Sequence, residues 1–430
     1  MKIAIIGSGH VGLVTGACFA DLGNEVVCMD QDVDKIRLLS HGEIPFFEPG
    51  LKELVQKNLR KGRLSFTSNL KEAIEFSKII FLCVGTPPKE NGEADLTAIE
   101  HVADAMAPFL DGYRLIVEKS TVPVETGLYL YKMIKQNSRK KIKFDIASNP
   151  EFLREGTAIF DFFNPDRIVI GVENKRGKNL LLELYKSFKV PIVVTDIRSA
   201  EIIKHASNSF LATKISFINL VSQICAKVGA DVEKVAEGIG TDRRIGKSFL
   251  KAGVGFGGSC FPKDLQAFIR IGEKLNISCN FLKEVFEINN YQKDCFINLL
   301  RSVLKKFEGK TLAVLGLAFK PDTDDMRFAP SIDIIKQLQS EGAKIKAYDP
   351  YAVEEAKKVI RGIKYVKNAY EACKGADAVL ILTEWREFKE IDLDRVKRDL
   401  KQPIVVDGRN IYEPEEMKKN GFKYFSIGRP

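Results

Sequence analysis

The sequence predicts an α/β protein in which two doubly wound parallel sheets are joined by a long central helix and a helical connector. Short β-branched runs alternate with helical stretches up to residue 198, and one continuous helical pattern begins at residue 199. From residue 308 the strand and helix order of the N-terminus returns. We therefore predict three regions, residues 1–198, 199–307 and 308–430.

The N-terminal segment predicts a strand at residues 3–6, a helix at residues 11–21 that ends at Gly23, and a strand at residues 25–30. The turn GSGHVG at residues 7–12 matches G-x-G-x-x-G, in which Gly7 makes the tight turn, Gly9 admits a pyrophosphate and Gly12 lets the helix pack on the strand. A purely structural turn is the alternative. This pattern predicts a Rossmann-like, dinucleotide-binding domain.

Asp30 ends the second predicted strand. A carboxylate at that position accepts a hydrogen bond from the adenosine ribose and repels a 2′-phosphate, so it favours NAD over NADP. Later runs at residues 79–84, 115–117, 144–147, 168–171 and 192–194 have the length and composition of buried parallel strands.

The region after residue 199 predicts a helix of about 30 residues, because its apolar positions recur three, four or seven apart as far as Gly229. A helix of this length is typical of a domain connector or a subunit interface. Further on, predicted strands at 311–315, 344–348, 378–382 and 404–406 and a helix at 331–339 repeat the opening pattern. This second unit lacks the three glycines, so it need not bind a dinucleotide.

The amino-acid composition argues against several classes of protein. With 430 residues and 45% hydrophobic residues the chain can form several cores, which excludes disorder as its main state. The net charge is +9, but basic clusters such as residues 57–63 are short and lack interleaved aromatic residues, so we predict a small anionic ligand and no nucleic acid. Apolar runs are shorter than the ~18 residues of a membrane span, and the N-terminus does not resemble a signal peptide. We expect a cytoplasmic protein that is not in a membrane.

The eight cysteines include no C-x-x-C, and the four histidines lack metal-ligand spacing, so no metal is predicted. Seven cysteines are interpreted as small core residues. Cys260 differs because it follows four glycines within residues 253–258 and precedes Lys263 and Asp264. A nearby cation would favour its thiolate, which indicates a nucleophile, whereas a flexible loop with an incidental cysteine is the alternative.

Two further sequence patterns are candidate parts of a functional site. Lys204 and Asn208 stand four residues apart and share one face of the long helix, although an exposed polar face is the simpler interpretation. NPEFLREG at residues 149–156 follows a predicted strand end, where parallel sheets place their ligands. Its two carboxylates are alternatively helix N-terminal charges.

Taken together, these motifs resemble the nucleotide-sugar 6-dehydrogenases of the UDP-glucose/GDP-mannose dehydrogenase family over essentially the whole chain, and most closely those that act on UDP-glucose. Besides GSGHVG, the resemblance rests on VGTPP at 84–88, KSTVP at 119–123, the stretch 149–171, GFGGSCFPKD at 255–264 and GLAFKPDTDDMR at 316–327. It implies oxidation of UDP-glucose to UDP-glucuronate by two NAD and water. Cys260 would form a thiohemiacetal with the intermediate aldehyde and then a thioester that water hydrolyses.

The resemblance also implies site residues. Catalytic roles fall to Cys260, Lys204, Asp264, Asn208, Glu151 and Thr121, with the general base left open among Lys204, Asp264 and Glu151. NAD would contact Gly7, Gly9, Val11, Gly12, Asp30, Lys35, Thr86, Thr121, Glu155, Lys263 and Arg327. UDP-glucose would contact Glu151, Phe152, Leu153, Arg154, Glu155, Lys204, Asn208, Arg244, Phe249, Leu250, Lys251, Ala252, Gly253, Gly257, Lys320 and Arg409.

Arg244 resembles an arginine that this family supplies from the neighbouring subunit, so we expect a homodimer through the long helix. Phe249 stands where some relatives carry tyrosine. Two alternatives remain open: a sister dehydrogenase for a UDP-N-acetylhexosamine or GDP-mannose, and a protein that binds NAD and a nucleotide sugar without catalysis.

Overall fold

The computed structural model describes residues 1–138 and 142–430. The chain forms two compact units. The first unit comprises Met1–Ser207 and Gln266–Asn276, and the second comprises Asn208–Leu265 and Ile277–Pro430. Two of the three boundaries therefore fall inside helices, Ile197–Val228 and Phe261–Lys274, and the third follows the second of these helices.

The first unit is built on a sheet of eight strands. The strands are β1 (Lys2–Ile6), β2 (Glu25–Met29), β3 (Leu64–Thr67), β4 (Ile79–Leu82), β5 (Arg114–Glu118), β6 (Phe144–Ser148), β7 (Ile168–Val172) and β8 (Ile192–Thr195). Their order across the sheet is β3-β2-β1-β4-β5-β6-β7-β8. Strands β1 to β3 are added towards one edge of the sheet, and strands β4 to β8 are added towards the other. This change of direction between β1 and β4 gives the doubly wound arrangement that the sequence predicts.

The second unit contains a six-stranded parallel sheet. Its strands are β9 (Thr311–Leu315), β10 (Lys344–Tyr348), β11 (Lys364–Tyr365), β12 (Ala378–Ile381), β13 (Ile404–Asp407) and β14 (Lys423–Ser426). The order β11-β10-β9-β12-β13-β14 repeats that of the first six strands of the other sheet. The predicted duplication of the nucleotide-binding pattern is confirmed.

Helices connect these strands. In chain order they are α1 (His10–Asp21), α2 (Val33–Ser40), α3 (Leu51–Arg60), α4 (Leu70–Phe76), α5 (Thr97–Met106), α6 (Thr126–Asn137), α7 (Ala158–Phe163), α8 (Lys175–Leu184), α9 (Ile197–Val228), α10 (Val232–Gly240), α11 (Phe261–Lys274), α12 (Asn280–Leu304), α13 (Pro330–Ser340), α14 (Val353–Val359), α15 (Ala369–Cys373), α16 (Arg386–Lys389), α17 (Leu393–Asp399) and α18 (Pro414–Lys419). The long predicted helix is α9, with 32 residues.

The central strands are apolar throughout because both of their faces are covered. In β1, Ile3 and Ile5 enter one hydrophobic cluster, whereas Ala4 and Ile6 enter another on the opposite face. Polar caps fix the helix starts between strands. Asp32, for example, accepts the backbone N–H of Lys35 at the start of α2. The carboxyl ends of the parallel strands β1, β4, β5 and β6 lie at one edge of this sheet, and candidate residues of the first unit follow these strands.

Two predicted strands of the first unit differ from expectation. β7 runs antiparallel to β6, although residues 168–171 are predicted to be parallel. β8 is an edge strand, and Val193 and Val194 are exposed rather than buried. Both are β-branched residues with high strand propensity, and that propensity does not distinguish an edge from a centre or one direction from the other. Strands β3, β11 and β14 were not predicted because they are short and partly polar.

The cysteine prediction is partly wrong. Cys18, Cys28, Cys83, Cys225 and Cys373 are buried, but Cys279 and Cys295 are only partly buried. Cys279 precedes α12 as its N-cap, and Cys295 lies within the same helix. Burial raises the pKa of the Cys83 thiol to about 12, as befits an inert core thiol.

Within the described residues, α9 is the helix whose length and composition would allow it to cross a membrane. Several polar side chains of α9 are nevertheless buried in protein contacts. Glu201 accepts two backbone N–H groups in the first unit, and Asn208 donates to Asp264 in the second. These contacts are those of a helix packed within a folded protein.

Candidate active site

The glycine-rich turn after β1 has the predicted backbone. Gly7 has φ +97°, and a Cβ there would lie 2.8 Å from the carbonyl oxygen of Cys83. A Cβ at Gly12 would lie 1.9 Å from the carbonyl oxygen of Gly7. By contrast, a Cβ at Gly9 would meet no heavy atom within 4 Å in the part of the chain that is described. Two glycines thus permit close packing, and the third leaves space over the turn.

This space fits a dinucleotide pyrophosphate. Gly9 is the N-cap of α1 and provides no side-chain cap, and the first turn of α1 carries no acidic residue. The backbone N–H groups and the positive end of the helix dipole therefore face the position that phosphates occupy in this fold. Val11 lies in the same first turn.

Asp30 lies directly after β2, beside the turn. Its Oδ2 accepts the backbone N–H of Ser8 and the Nζ of Lys35, both at 2.9 Å. Partial burial opposes ionisation of Asp30, but hydrogen bonds from Lys35, Ser8 and Asp32 outweigh it and lower its pKa. Asp30 is therefore an ionised acceptor, as recognition of a ribose diol requires. Lys35 neutralises part of this charge.

Thr86 and Thr121 are brought together at the ends of β4 and β5. Thr86 Oγ1 donates to the carbonyl oxygen of Thr121 at 2.7 Å. This bond ties the VGTPP segment to the KSTVP segment, so both predicted cofactor contacts belong to one rigid corner of the sheet.

Glu151 and Lys204 also meet in the first unit. Lys204 Nζ donates to the carbonyl oxygen of Glu151 at 2.7 Å and to its Oε1 at 3.1 Å. Both side chains are buried, and Lys204 Nζ lies 5.3 Å from the ring centroid of Phe152. The other carboxylate oxygen of Glu151 accepts the backbone N–H of Leu153 at 2.5 Å. A buried ammonium beside a carboxylate can move a proton or stabilise a developing alkoxide.

An ion pair and backbone hydrogen bonds hold the rest of residues 149–156. Arg154 donates from Nε and Nη2 to Asp161, at 3.0 and 2.5 Å. Next to it, Glu48 accepts the backbone N–H groups of Gly156 and Ala158 at 2.7 and 2.8 Å. Glu155 lies between these two anchors. The anchoring role of Glu48 was not predicted, because Glu48 precedes Pro49 in a loop that carries no motif.

A second missed group is the buried Lys119. Its Nζ lies 3.2 Å from Oδ1 of Asn149, which also accepts the hydroxyl of Tyr185 at 2.5 Å. Desolvation lowers the pKa of Lys119. Lys119 begins the motif KSTVP and Asn149 begins NPEF. Their place in these motifs is the feature of the sequence that could have identified them.

In the second unit, the glycine loop before Cys260 packs tightly against its surroundings. A Cβ at Gly257 would lie 2.2 Å from the carbonyl oxygen of Phe328, and one at Gly253 would lie 2.9 Å from that of Gly408. Asn289 fixes the loop by accepting the backbone N–H of Phe256 at 2.7 Å. The close approach that the glycines permit is thus made to neighbouring backbone.

Cys260 immediately precedes α11 and is partly exposed. Its carbonyl oxygen accepts the backbone N–H of Asp264 at 2.8 Å, which places Asp264 one helical turn away. Asp264 is fully buried, and its carboxylate accepts Asn208 Nδ2 at 2.6 Å and Lys263 Nζ at 2.7 Å. A thiol at a helix start can ionise readily, because the helix dipole stabilises the thiolate.

The residues before the glycine loop differ in exposure. Phe249 has φ +65°, an uncommon backbone conformation for a bulky residue, and its ring lies 6.1 Å from that of Phe261. Leu250 and Ala252 are buried, whereas Lys251 is exposed. Arg244 is highly exposed and pairs with Asp242 at 2.7 Å.

The last three predicted residues lie after β9 and β13. Arg409 donates to the carbonyl oxygens of Leu382, Gly255 and Phe319, at 2.8, 3.2 and 3.2 Å. It therefore joins the glycine loop to the second sheet. Lys320 Nζ lies 5.7 Å from the ring of Phe319, and Arg327 pairs with Asp325 at 2.8 Å.

The doubly wound sheet of the first unit, with its glycine turn and an ionised Asp30 after β2, is typical of dehydrogenases that use a dinucleotide cofactor. The chain belongs to the UDP-glucose/GDP-mannose dehydrogenase family. The NAD binding domain of that family matches residues 1–189, its central domain matches residues 198–291 and its UDP binding domain matches residues 313–414.

Among curated proteins, the chain is 50% identical over 430 residues to the UDP-glucose 6-dehydrogenase TuaD of Bacillus subtilis, covering all of this chain and 93% of that protein. It is 46% identical to the UDP-glucose 6-dehydrogenase of Rhizobium meliloti over the full length of both. Among solved structures, a UDP-glucose dehydrogenase from Pyrobaculum islandicum superposes with a TM-score of 0.94 at 38% identity, covering all of this chain and 98% of that one.

Proposed function

We propose that this enzyme oxidises UDP-glucose to UDP-glucuronate with two NAD and one water. The observation that carries the proposal is Cys260 at the start of α11, one turn from the buried Asp264, in a chain with both an NAD binding and a UDP binding domain. Relatives at 40–50% identity over this whole chain bear the name UDP-glucose 6-dehydrogenase.

The chemistry requires a nucleophile. A primary alcohol loses one hydride to become an aldehyde, and an aldehyde has no second hydride to give at low energy until a nucleophile adds to its carbon. NAD, when bound at the turn after β1, accepts one hydride in each of the two oxidations. In the proposed sequence, Cys260 adds to the aldehyde to give a thiohemiacetal, the second oxidation gives a thioester, and water releases the carboxylate and the thiol.

Polar residues support these steps. We assign Lys204 and Asn208 to stabilisation of the oxyanion at C6, since an ammonium and an amide donate hydrogen bonds to a developing negative charge. We also count Thr121 among the proposed catalytic residues. The general base is one of Lys204, Asp264 and Glu151, all of which are buried and can relay a proton to or from water.

Ligand contacts are proposed as follows. NAD contacts Gly7, Gly9, Val11, Gly12, Asp30, Lys35, Thr86, Thr121, Glu155, Lys263 and Arg327. UDP-glucose contacts residues 151–155, Lys204, Asn208, Arg244, residues 249–253, Gly257, Lys320 and Arg409. Arg154, Lys263 and Arg327 form ion pairs within the chain, and the proposed ligand contacts would replace or extend these pairs.

We also propose the division into residues 1–198, 199–307 and 308–430, which is supported by the ranges that match the three family domains. Cytoplasmic location is proposed on chemical grounds. NAD and nucleotide sugars are cytoplasmic metabolites, and all eight cysteines, each within the described residues, are free thiols.

A homodimer through α9 is proposed because of an exposed apolar stripe on that helix. Phe210, Phe217, Ile224 and Val228 are 66%, 51%, 56% and 70% exposed, and their spacing of seven, seven and four places them along one side of α9. In such a dimer, Arg244, which is exposed, would be available to the neighbouring subunit's substrate.

A substrate panel tests the proposal. NADH absorbance is followed with UDP-glucose, UDP-N-acetylglucosamine, UDP-N-acetylmannosamine and GDP-mannose, each with NAD and with NADP. The proposal predicts turnover with UDP-glucose and NAD at a kcat/KM well above that of every other pair. Preference for another sugar would assign a sister dehydrogenase, and binding of both ligands without turnover would assign a non-catalytic protein.

A further inference from the structure

Two buried carboxyl groups, those of Glu118 and Glu201, meet inside the first unit. Glu118 is the last residue of β5, and Glu201 lies near the start of α9. Their exposed fractions are 1% and 2%. The two side chains are within hydrogen-bonding reach of each other. Neither residue belongs to a motif that the sequence singled out.

The two carboxyls differ in their other contacts. Glu201 accepts the backbone N–H of Glu125 at 2.7 Å and that of Gly127 at 2.8 Å, which fixes the start of α6. Neither oxygen of Glu118 receives a hydrogen bond from any donor in residues 1–138 and 142–430. An ionised Glu118 would only be an acceptor, and would thus be a buried, unsatisfied charge against a second carboxylate. A neutral Glu118 has an O–H to donate.

The charged groups around the pair do not compensate for a second negative charge. From the start of α6, Glu125 adds a carboxylate, and Arg198 of α9 is engaged with it at 3.0 Å. His205, one turn beyond Glu201, directs Nε2 to the carbonyl oxygen of Val122 at 2.7 Å. Desolvation, and then the charge of Glu201, raises the pKa of Glu118.

We propose that Glu118 is a neutral carboxylic acid whose O–H donates a hydrogen bond to Glu201, and that this bond positions Thr121 and Lys204. Thr121 lies three residues after Glu118, and Lys204 lies three residues after Glu201, about one helical turn along α9. One shared proton therefore joins the end of β5, the start of α6 and the start of α9. The positioning of catalytic residues rests on the proposed function, whereas the shared proton does not.

The pair makes the first unit sensitive to alkaline pH. A carboxyl whose pKa is raised on folding stabilises the fold fully at low pH, and this contribution is lost as pH rises towards the folded-state pKa. Between the two pKa values, each pH unit lowers the ratio of folded to unfolded protein by about tenfold for one such group. Glu118→Gln keeps an N–H donor for Glu201 but has no proton to lose.

Infrared spectroscopy of the ligand-free enzyme tests the shared proton directly. At neutral pH the wild type should show the carbonyl band of a protonated carboxyl group, and an alkaline titration should remove it. Glu118→Gln should lack the band, whereas Glu75→Gln, an exposed glutamate of α4, should keep it. A wild type without this band at neutral pH overturns the proposal, with no need for any variant to fold.

Unfolding and turnover test the positioning role. From about pH 6 to about pH 9, the folding equilibrium constant of Glu118→Gln should rise relative to the wild type, while that of Glu75→Gln should follow the wild type. At alkaline pH, Glu118→Gln should retain kcat where the wild type loses it, with KM values unchanged. Parallel pH profiles for the wild type and Glu118→Gln overturn the proposal. The spectroscopic and unfolding experiments need no substrate. A failure of the shared proton can therefore be distinguished from a failure of the proposed function.

Discussion

At the scale of single residues, the environment of each thiol decides its chemistry. Burial outweighs the nearby cations Lys119 and Lys346 and raises the pKa of Cys83 and Cys373 to about 12, so these two thiols stay protonated. Cys260 instead stands partly exposed at a helix start, where backbone N–H groups favour the thiolate. This difference supports Cys260 as the proposed nucleophile.

Cys260→Ser should therefore lower kcat by at least about 10³-fold, because a hydroxyl at neutral pH is a far weaker nucleophile than a thiolate. Calorimetric binding of UDP-glucose and NAD should remain within a few-fold of the wild type. Cys295→Ser, a partly exposed thiol outside the site, is the matched control and should retain turnover. Equal activity of Cys260→Ser and Cys295→Ser would remove Cys260 from the mechanism.

Asp30 should determine the choice of cofactor. Removal of a charged hydrogen-bond acceptor costs about 1.5–3 kcal/mol, so Asp30→Ala should raise KM for NAD by roughly 10- to 100-fold with a smaller change in kcat. Discrimination against NADP should fall, since the 2′-phosphate no longer meets a carboxylate. Initial rates with both cofactors measure this, and an unchanged NAD to NADP preference would contradict the assignment.

At the scale of elements, the glycine loop before α11 is a packing device. Gly257→Ala should destabilise the protein by about 1–3 kcal/mol or more, because the added Cβ would lie 2.2 Å from the Phe328 carbonyl oxygen. Gly238→Ala in α10 is the matched control. Its Cβ meets nothing within 4 Å among the described residues, so it should stabilise by about 0.5–1 kcal/mol. Urea unfolding distinguishes them, and equal midpoints would refute the packing argument.

Elements with a local signature could be predicted, whereas contacts between distant residues could not. The turn at residues 7–12 and the helix α9 follow from spacing alone. The edge position of β8 depends on which strands pair, and its Val-rich sequence fits a central strand equally well. Pairs such as Glu118 with Glu201 form only when β5 and α9 pack together.

The same limit holds for the site. Cys260, Asp264 and Asn208 were recognisable through motifs, but the sequence does not state that Asn208 donates to Asp264. Arg409 stands in no quoted motif, and its role in joining the loop to the second sheet follows from three carbonyl contacts. The family resemblance therefore predicts which residues belong to the site, whereas their contacts are known only from the folded structure.

At the scale of the whole molecule, the exposed stripe of α9 predicts self-association. Phe217→Asp should shift the protein from dimer to monomer in light scattering, since a charge in an apolar interface is costly to bury. Phe160→Asp, which changes a 63% exposed phenylalanine of α7, is the control and should leave the mass unchanged. A monomeric wild type, or a dimeric Phe217→Asp, would contradict the proposed interface.

The proposed oxidation through Cys260 removes four electrons from each sugar, so the ratio of NADH formed to UDP-glucose consumed is decisive. With limiting UDP-glucose and excess NAD, two NADH should form for each UDP-glucose consumed, with UDP-glucuronate as the product. One NADH for each sugar, with free aldehyde in solution, would contradict it.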